Sequence, residues 1–374
     1  MMELKVNSTT FRKLAFAVPS FLLGIWAFQA VNAVSGPYFE PILEACGNPD
    51  KNSPIEEFAQ KTGYHEYEPK VGFKVFNLLV CLITQFLYEL NQTHPQGVIV
   101  WGGVILVSLP VALSCTYEAG RNGSRGPIRY PVLMGLLYQL FGVSVMYPLL
   151  WVPSYIFGRA AVDSPQAGIH SNLRIYYSAL AIIPPVALTL VVFWADPESY
   201  LWTVSAGILG GPGVPLIGLI LYTDASASAS ASLVVSKERI EETSRRIQNI
   251  YGWMTGVSVI GWAYLVKIAV DAYGYGYVSV SAAFEHLWRD IWTDAHASVA
   301  FMTIDTGVFY LGLFIFVAYQ CEAKAFKMLA LTPILGPGGA GCWVLRELEA
   351  DVCQKRLDVI ALSGSGDSTA KKEV

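Results

Sequence analysis

Charge is scarce. Asp, Glu, Lys and Arg make up 14% of the 374 residues, against about 25% in an average soluble domain. With 53% hydrophobic residues, that deficit excludes an ordinary water-soluble globule. Positive charge is also in the minority, 25 Lys and Arg against 29 Asp and Glu, so no nucleic-acid partner is expected. Histidine is sparser still, at five residues without an HExxH pair, and no metal is expected. The six cysteines (Cys46, Cys81, Cys115, Cys321, Cys342, Cys353) lack the two-residue spacing of zinc or redox motifs and read as apolar filler. There is no phosphate-binding G-x-x-x-x-G-K-[ST] loop, and Gly207–Pro215 (GILGGPGVP) reads as a kink in an apolar run. No cofactor is expected. No internal repeat of the kind that marks many transporters stands out.

What the chain does have is long apolar runs. Eight are long enough to cross a bilayer: Leu14–Val34, Val71–Leu90, Val98–Tyr117, Pro131–Phe157, Leu173–Trp194, Tyr200–Tyr222, Ile250–Asp271 and His296–Tyr319. The fold expected is therefore all-α, a polytopic transmembrane helix bundle of about eight spans forming one domain over 1–362. The first run follows Lys5, Arg12 and Lys13 as a signal peptide would, but it is too long for one and reads as a retained helix. In a ninth run, Met328–Leu345, Pro333 and Gly336–Gly339 should prevent a straight crossing. Eight spans with both termini cytoplasmic place 16 Lys and Arg inside against 7 outside, as the positive-inside rule prefers. This scheme leaves Arg121, Arg125 and Arg129 on the far side, with Glu118 and Asp294. It puts Glu89 and Glu322 toward the cytoplasm.

Between the spans, 35–70 is a long acidic loop suited to capping the far face. Residues 223–249 read as a linker, ASASASAS, followed by a charged surface helix. Within 272–295, Phe284, Leu287, Trp288, Ile291 and Trp292 share one face of an interfacial amphipathic helix. The tail 363–374 is polar and expected to be disordered.

One ionisable group stands at the middle of an apolar run. Asp305 divides His296–Tyr319, about 23 residues long, and a carboxylate at that depth costs about 2.5–3.5 kcal/mol even on the lenient scale. A carboxylic acid kept neutral by apolar surroundings is a proton donor. The plainer reading is that Asp305 only hydrogen-bonds a neighbouring helix. Glu118, Glu89 and Asp294 stand at span ends and are candidate partners or bases. Trp26, Tyr88, Tyr138, Trp262, Phe301 and Phe309 lie within spans, where an aromatic face stabilises a desolvated cation by about 2 kcal/mol. A strong acid in an aromatic-lined apolar cavity is what carbocation cyclisation of a polyprenyl chain requires.

The run FAVPSFLLGIWAFQAVNAVSGPYF with the long loop after it, and TDAHASVAFMTIDTGVFYLGLFIF, resemble the larger fungal membrane-integral terpene cyclases of meroterpenoid pathways, of the ascofuranone and macrophorin type. The likeness extends to length and span number. It implies a redox-neutral isomerase of the endoplasmic reticulum. That enzyme protonates a prenylated phenol or quinol at a terminal epoxide or olefin and cyclises its terpenoid chain without a cofactor. The bilayer and this lipophilic substrate are then the partners. The alternative is a transporter or channel using Asp305 as a proton or cation relay.

Overall fold

In the computed structural model the described residues are 8–47, 74–121, 124–159, 172–196, 199–210, 236–274 and 297–366. Among them every regular element is helical. In chain order they are α1 (Ser8–Gly47), α2 (Lys74–Gln92), α3 (Gln96–Gly120), α4 (Pro131–Phe141), α5 (Val143–Gly158), α6 (Asn172–Leu180), α7 (Ile183–Trp194), α8 (Tyr200–Gly210), α9 (Lys237–Tyr273), α10 (Ala297–Gln320) and α11 (Glu322–Gly366). Six stretches are long and apolar enough to cross a membrane: Thr9–Pro37, Gln96–Gly120, Ile175–Trp194, Lys237–Ala272, Ala297–Gln320 and Glu322–Leu362.

The crossing helices can be oriented by their contacts. Arg12 Nη2 donates to Tyr319 O at 3.2 Å, so α1 starts where α10 ends. Glu118 and Gln320 line one cavity, so α3 also ends there. This end of the bundle, called the Arg12 end below, receives both irregular parts of the fold.

The first irregular part is Pro131–Phe157, which the apolar pattern presents as a span. It is a hairpin. The backbone N–H of Arg125 donates to Gly158 O at 2.8 Å, so the segment leaves and returns at one end. The 11 residues of α4 reach inward about 16 Å. Gly142, at φ 87°, reverses the chain, and α5 runs back. Only glycine adopts that backbone without strain. Along α5 the turn Tyr147–Trp151 is widened to π-helical spacing. Pro153 brings no N–H to this stretch, and the Ser20 hydroxyl of α1 donates to Pro148 O at 2.7 Å.

The second irregular part is α11. Its backbone leaves the helical region at Gly336, φ 72° and ψ 167°, so Met328–Leu345 is broken as its Pro and Gly content requires. Lys324 Nζ pairs with Asp351 Oδ2 and Lys327 Nζ with Glu347 Oε1, both at 2.5 Å. Those pairs bring the two arms antiparallel, and the return arm 337–366 leaves at the Arg12 end again. Trp262 closes over the bend: a Cβ on Gly336 would stand 2.6 Å from Trp262 Cβ.

The two hairpins are placed alike. Each follows a crossing helix, α3 or α10, that descends to the Arg12 end. Each tip docks on the other crossing helix. Gly142 and Ser144 meet Asp305 of α10. Gly338 packs so closely on α3 that a Cβ would come within 2.2 Å of Leu106 O. This duplication of path has no counterpart in the sequence.

Several sequence expectations change accordingly. About eight crossings are not found among the described residues. Glu118 lies at the Arg12 end with Glu322, not opposite it. Glu89, whose carbonyl accepts from Thr93 N just before α3 begins, lies at the other end. The span scheme ran Val71–Leu90 back to the Arg12 end and let Pro131–Phe157 cross, whereas α2 ends beside the start of α3 at the other end and 131–157 turns back on itself. The 237–249 segment is the start of α9, continuous with its span, and Ser236 caps it by accepting from Arg239 N at 3.3 Å. The first span runs on as helix to Gly47, into the expected 35–70 loop. At the other terminus α11 continues to Gly366. Cys81 is disulfide-bonded rather than filler. Most of the 35–70 loop, the ASASASAS linker and the 272–295 amphipathic segment fall outside the described residues.

The hairpin makes a topological prediction. Cysteines placed at the exposed Arg125 and Asp358 should both react with an impermeant maleimide added from the same side of sealed vesicles. Labelling from opposite sides would restore Pro131–Phe157 as a span.

Candidate functional site

Asp305 is buried to 3% exposure in the middle of α10. Its Oδ1 accepts the backbone N–H of Ser144 at 3.4 Å. Ser144 stands in the first turn of α5, where backbone N–H groups have no intrahelical partner. A glycine at the cap position, Gly142, offers no side chain to satisfy them. Asp305 serves as that cap from another helix through its carboxyl oxygen. A cavity-free apolar environment would leave such a donor unpaired at about 1–3 kcal/mol. The hydroxyl of Ser144 lies beside this contact and is buried, with no well-formed hydrogen bond of its own. Among the described residues no basic side chain forms an ion pair with Asp305.

The surroundings are apolar. Ala27 and Val31 of α1, Val145 of α5, and Ile304 and Val308 of α10 form one buried cluster. Phe301 and Phe309 stand one turn to either side of Asp305. Phe301 packs edge-on to Phe86 at 5.3 Å, and Phe309 edge-on to Tyr147 at 5.2 Å. Tyr147 opens a row of stacked rings along α5, Tyr147 to Trp151 at 5.2 Å and Trp151 to Tyr155 at 5.5 Å. Tyr138, on the entering arm, lies 4.0 Å through its OH from Cys115 Sγ.

The remaining sequence candidates are dispersed. Trp26 is 45% exposed on the outer side of α1, where lipid would lie. Tyr88 packs edge-on to Trp202 in a separate cluster. Trp262 covers the Gly336 bend and donates from Nε1 to Pro333 O at 3.2 Å. Asp294 lies outside the described residues. Glu118 is near Phe316, which is eleven residues from Asp305, or about 16 Å along α10. It cannot be the immediate partner of Asp305.

Glu118 belongs to a second polar centre that the sequence did not reveal. Arg121 Nε donates to Glu118 Oε1 at 2.8 Å, and Arg121 Nη2 donates to Glu349 Oε2 at 2.5 Å. All three side chains are buried. Burial alone would lower the Arg121 pKa, but the two carboxylates outweigh it and raise it, so the guanidinium stays charged. Ser124 Oγ donates to Glu118 O at 2.7 Å. Arg356, also buried, lies one turn beyond Val352 on the return arm. A small cavity of about 20 Å³ opens against Glu118, Arg121, Glu349, Tyr251 and Gln320, room for about one water molecule. Arg121 and Glu349 are 228 residues apart. Only their hydrogen-bonded spacing in three dimensions marks them.

Among the described residues no group of three or more His, Cys, Asp or Glu side chains could hold a metal ion. No family model matches the chain, and neither a curated protein nor a solved structure is significantly similar to it.

Proposed function

We propose that the chain is a membrane-bound terpene cyclase in which Asp305 is the general acid. The observation that carries this reading is a buried carboxyl at mid-depth without a counter-ion, at a break in a helix, flanked on both sides by aromatic rings. Glu118, which has a counter-ion, is unsuited to donate. The resemblance to fungal meroterpenoid cyclases supplies the substrate class, a prenylated phenol or quinol with a terminal epoxide or olefin. Asp305 O–H would protonate the epoxide oxygen as its C–O bond breaks. Internal olefins then attack in turn, and the aromatic faces stabilise the cations. The last cation forms several bonds away from the first, so its proton leaves to a base other than Asp305. Bonds are rearranged without net oxidation, and the product has the mass of the substrate.

The protein sits in the endoplasmic reticulum membrane on this reading, with the Arg12 end cytoplasmic. Arg12, Lys13, Arg121, Arg125 and Arg159 gather there, and the arginines that broke the charge rule in the span scheme now obey it.

The test is direct. Microsomes expressing the chain and fed a prenylphenol epoxide should yield an isobaric cyclised product that control microsomes do not. A second reading is favoured by one observation: two broken-helix hairpins enter the bundle from one end and dock their tips on the middles of adjacent helices, as broken helices do in many transporters. Absence of product, with proton-coupled solute uptake into proteoliposomes, would select it.

A further inference from the structure

The return arm α5 carries four buried polar atoms with no hydrogen-bond partner among the described residues: Ser144 Oγ, Tyr147 OH, Trp151 Nε1 and Tyr155 OH. They recur at steps of three, four and four residues, which keeps them on one face of the helix. That face looks into the bundle, since Tyr147 meets Phe309, and Trp151 and Tyr155 meet Phe316. Leaving each unpaired costs about 1–3 kcal/mol, and native interiors hold few such groups. Here they form a row with defined ends. One end is Asp305, which accepts from Ser144 N. At the other, Glu118 Oε2 and Arg121 Nη1 also lack partners, beside the small cavity at the Arg12 end.

We propose that this row is a proton path that recharges Asp305 from the Arg12 end. It rests on Asp305 being the donor of the proposed function. Water molecules file along the row and satisfy its polar atoms. The hydroxyls of Tyr155, Tyr147 and Ser144 each accept a proton on one side and give one up on the other. Trp151 Nε1 can only donate, so it holds a water in place and passes no proton itself. A hydronium at the mouth loses its proton, each O–H bond along the row is broken and remade, and one O–H bond forms on the Asp305 carboxylate. Nothing is oxidised or reduced. The path has a reason to exist, because Asp305 is closed off from bulk water and the final proton of cyclisation leaves elsewhere.

The test uses the full chain in proteoliposomes. Infrared difference spectra between wild type and Asp305→Asn identify the carboxyl band of Asp305. The rate at which that band shifts after transfer to D2O is then measured. Tyr147→Phe and Tyr155→Phe keep the rings and remove the hydroxyls, and the double variant should exchange at least about tenfold more slowly. Ser144→Ala, which deletes the last hydroxyl and leaves the aromatic packing untouched, should slow exchange likewise. Wild-type exchange rates in both, or no protonated carboxyl band lost in Asp305→Asn, overturn the proposal. In the cyclase assay the double variant should complete its first turnover at the wild-type rate and slow afterwards. A wild type that cyclises while the variants exchange normally removes the path and leaves the function. Slowed exchange in a chain that never cyclises does the reverse.

Discussion

Asp305→Asn should abolish cyclisation while leaving the protein folded and inserted. Asparagine keeps a carbonyl oxygen in the same place, so the Ser144 N–H can still be accepted and the tip of the first hairpin stays capped. What is lost is the acidic proton. General acid catalysis contributes about 10²–10⁴-fold, so product should fall by at least about 100-fold at equal expression. The measurement is product formation per unit of immunodetected protein in microsomes, with thermal melting in detergent as the folding control. Full turnover by the variant would move the acid elsewhere or end the cyclase reading. Loss of folding as well would show that the cap needs a charge, and that Asp305 is chiefly a structural link between α10 and the hairpin.

Arg121→Ala should be the most destabilising single change at the Arg12 end. It leaves Glu118 and Glu349 buried and without the shared guanidinium. Removing one member of a buried ion cluster costs about 3–5 kcal/mol. Replacing all three with apolar residues of similar size, Glu118→Leu, Arg121→Met and Glu349→Leu together, should recover most of that stability, because no charge is then stranded. The melting temperature in detergent should therefore fall sharply for the single variant and return toward wild type in the triple one. Equal melting of Arg121→Ala and wild type would mean that the cluster is hydrated and does not tie the second hairpin to α3.

The two centres differ in how far sequence could reveal them. Asp305 was legible because a lone carboxylate in an apolar run is costly anywhere in a membrane, whatever surrounds it. Phe301 and Phe309 were legible for the same local reason, as one-turn neighbours on the same helix. Glu118 was visible only as a residue at a span end. Its partner Glu349 lies 231 residues further on, on the return arm of the second hairpin, which the chain reaches after the first hairpin and three more long apolar helical stretches, and no spacing rule connects them. Trp26 and Trp262 were grouped with the site by residue type. The fold sends one to the outer surface and the other to the Gly336 bend.

The sequence alone determined that the chain is helical and membrane-embedded, since low charge and long apolar runs admit few other solutions. It also determined that 328–345 would break, because Pro333, Pro337 and the glycines around them cannot sustain a straight helix. Tertiary structure decided which apolar runs turn back on themselves. Pro131–Phe157 has the length and hydropathy of a span, and hydropathy is blind to direction. A single glycine at φ 87° turns it back, and that conformation holds because Asp305, 163 residues later, satisfies the backbone the turn exposes. The paired hairpins were hidden for a related reason. They share a path and a glycine hinge, and each docks on the crossing helix that leads into the other, all properties of the backbone in space, while the side chains that build them differ.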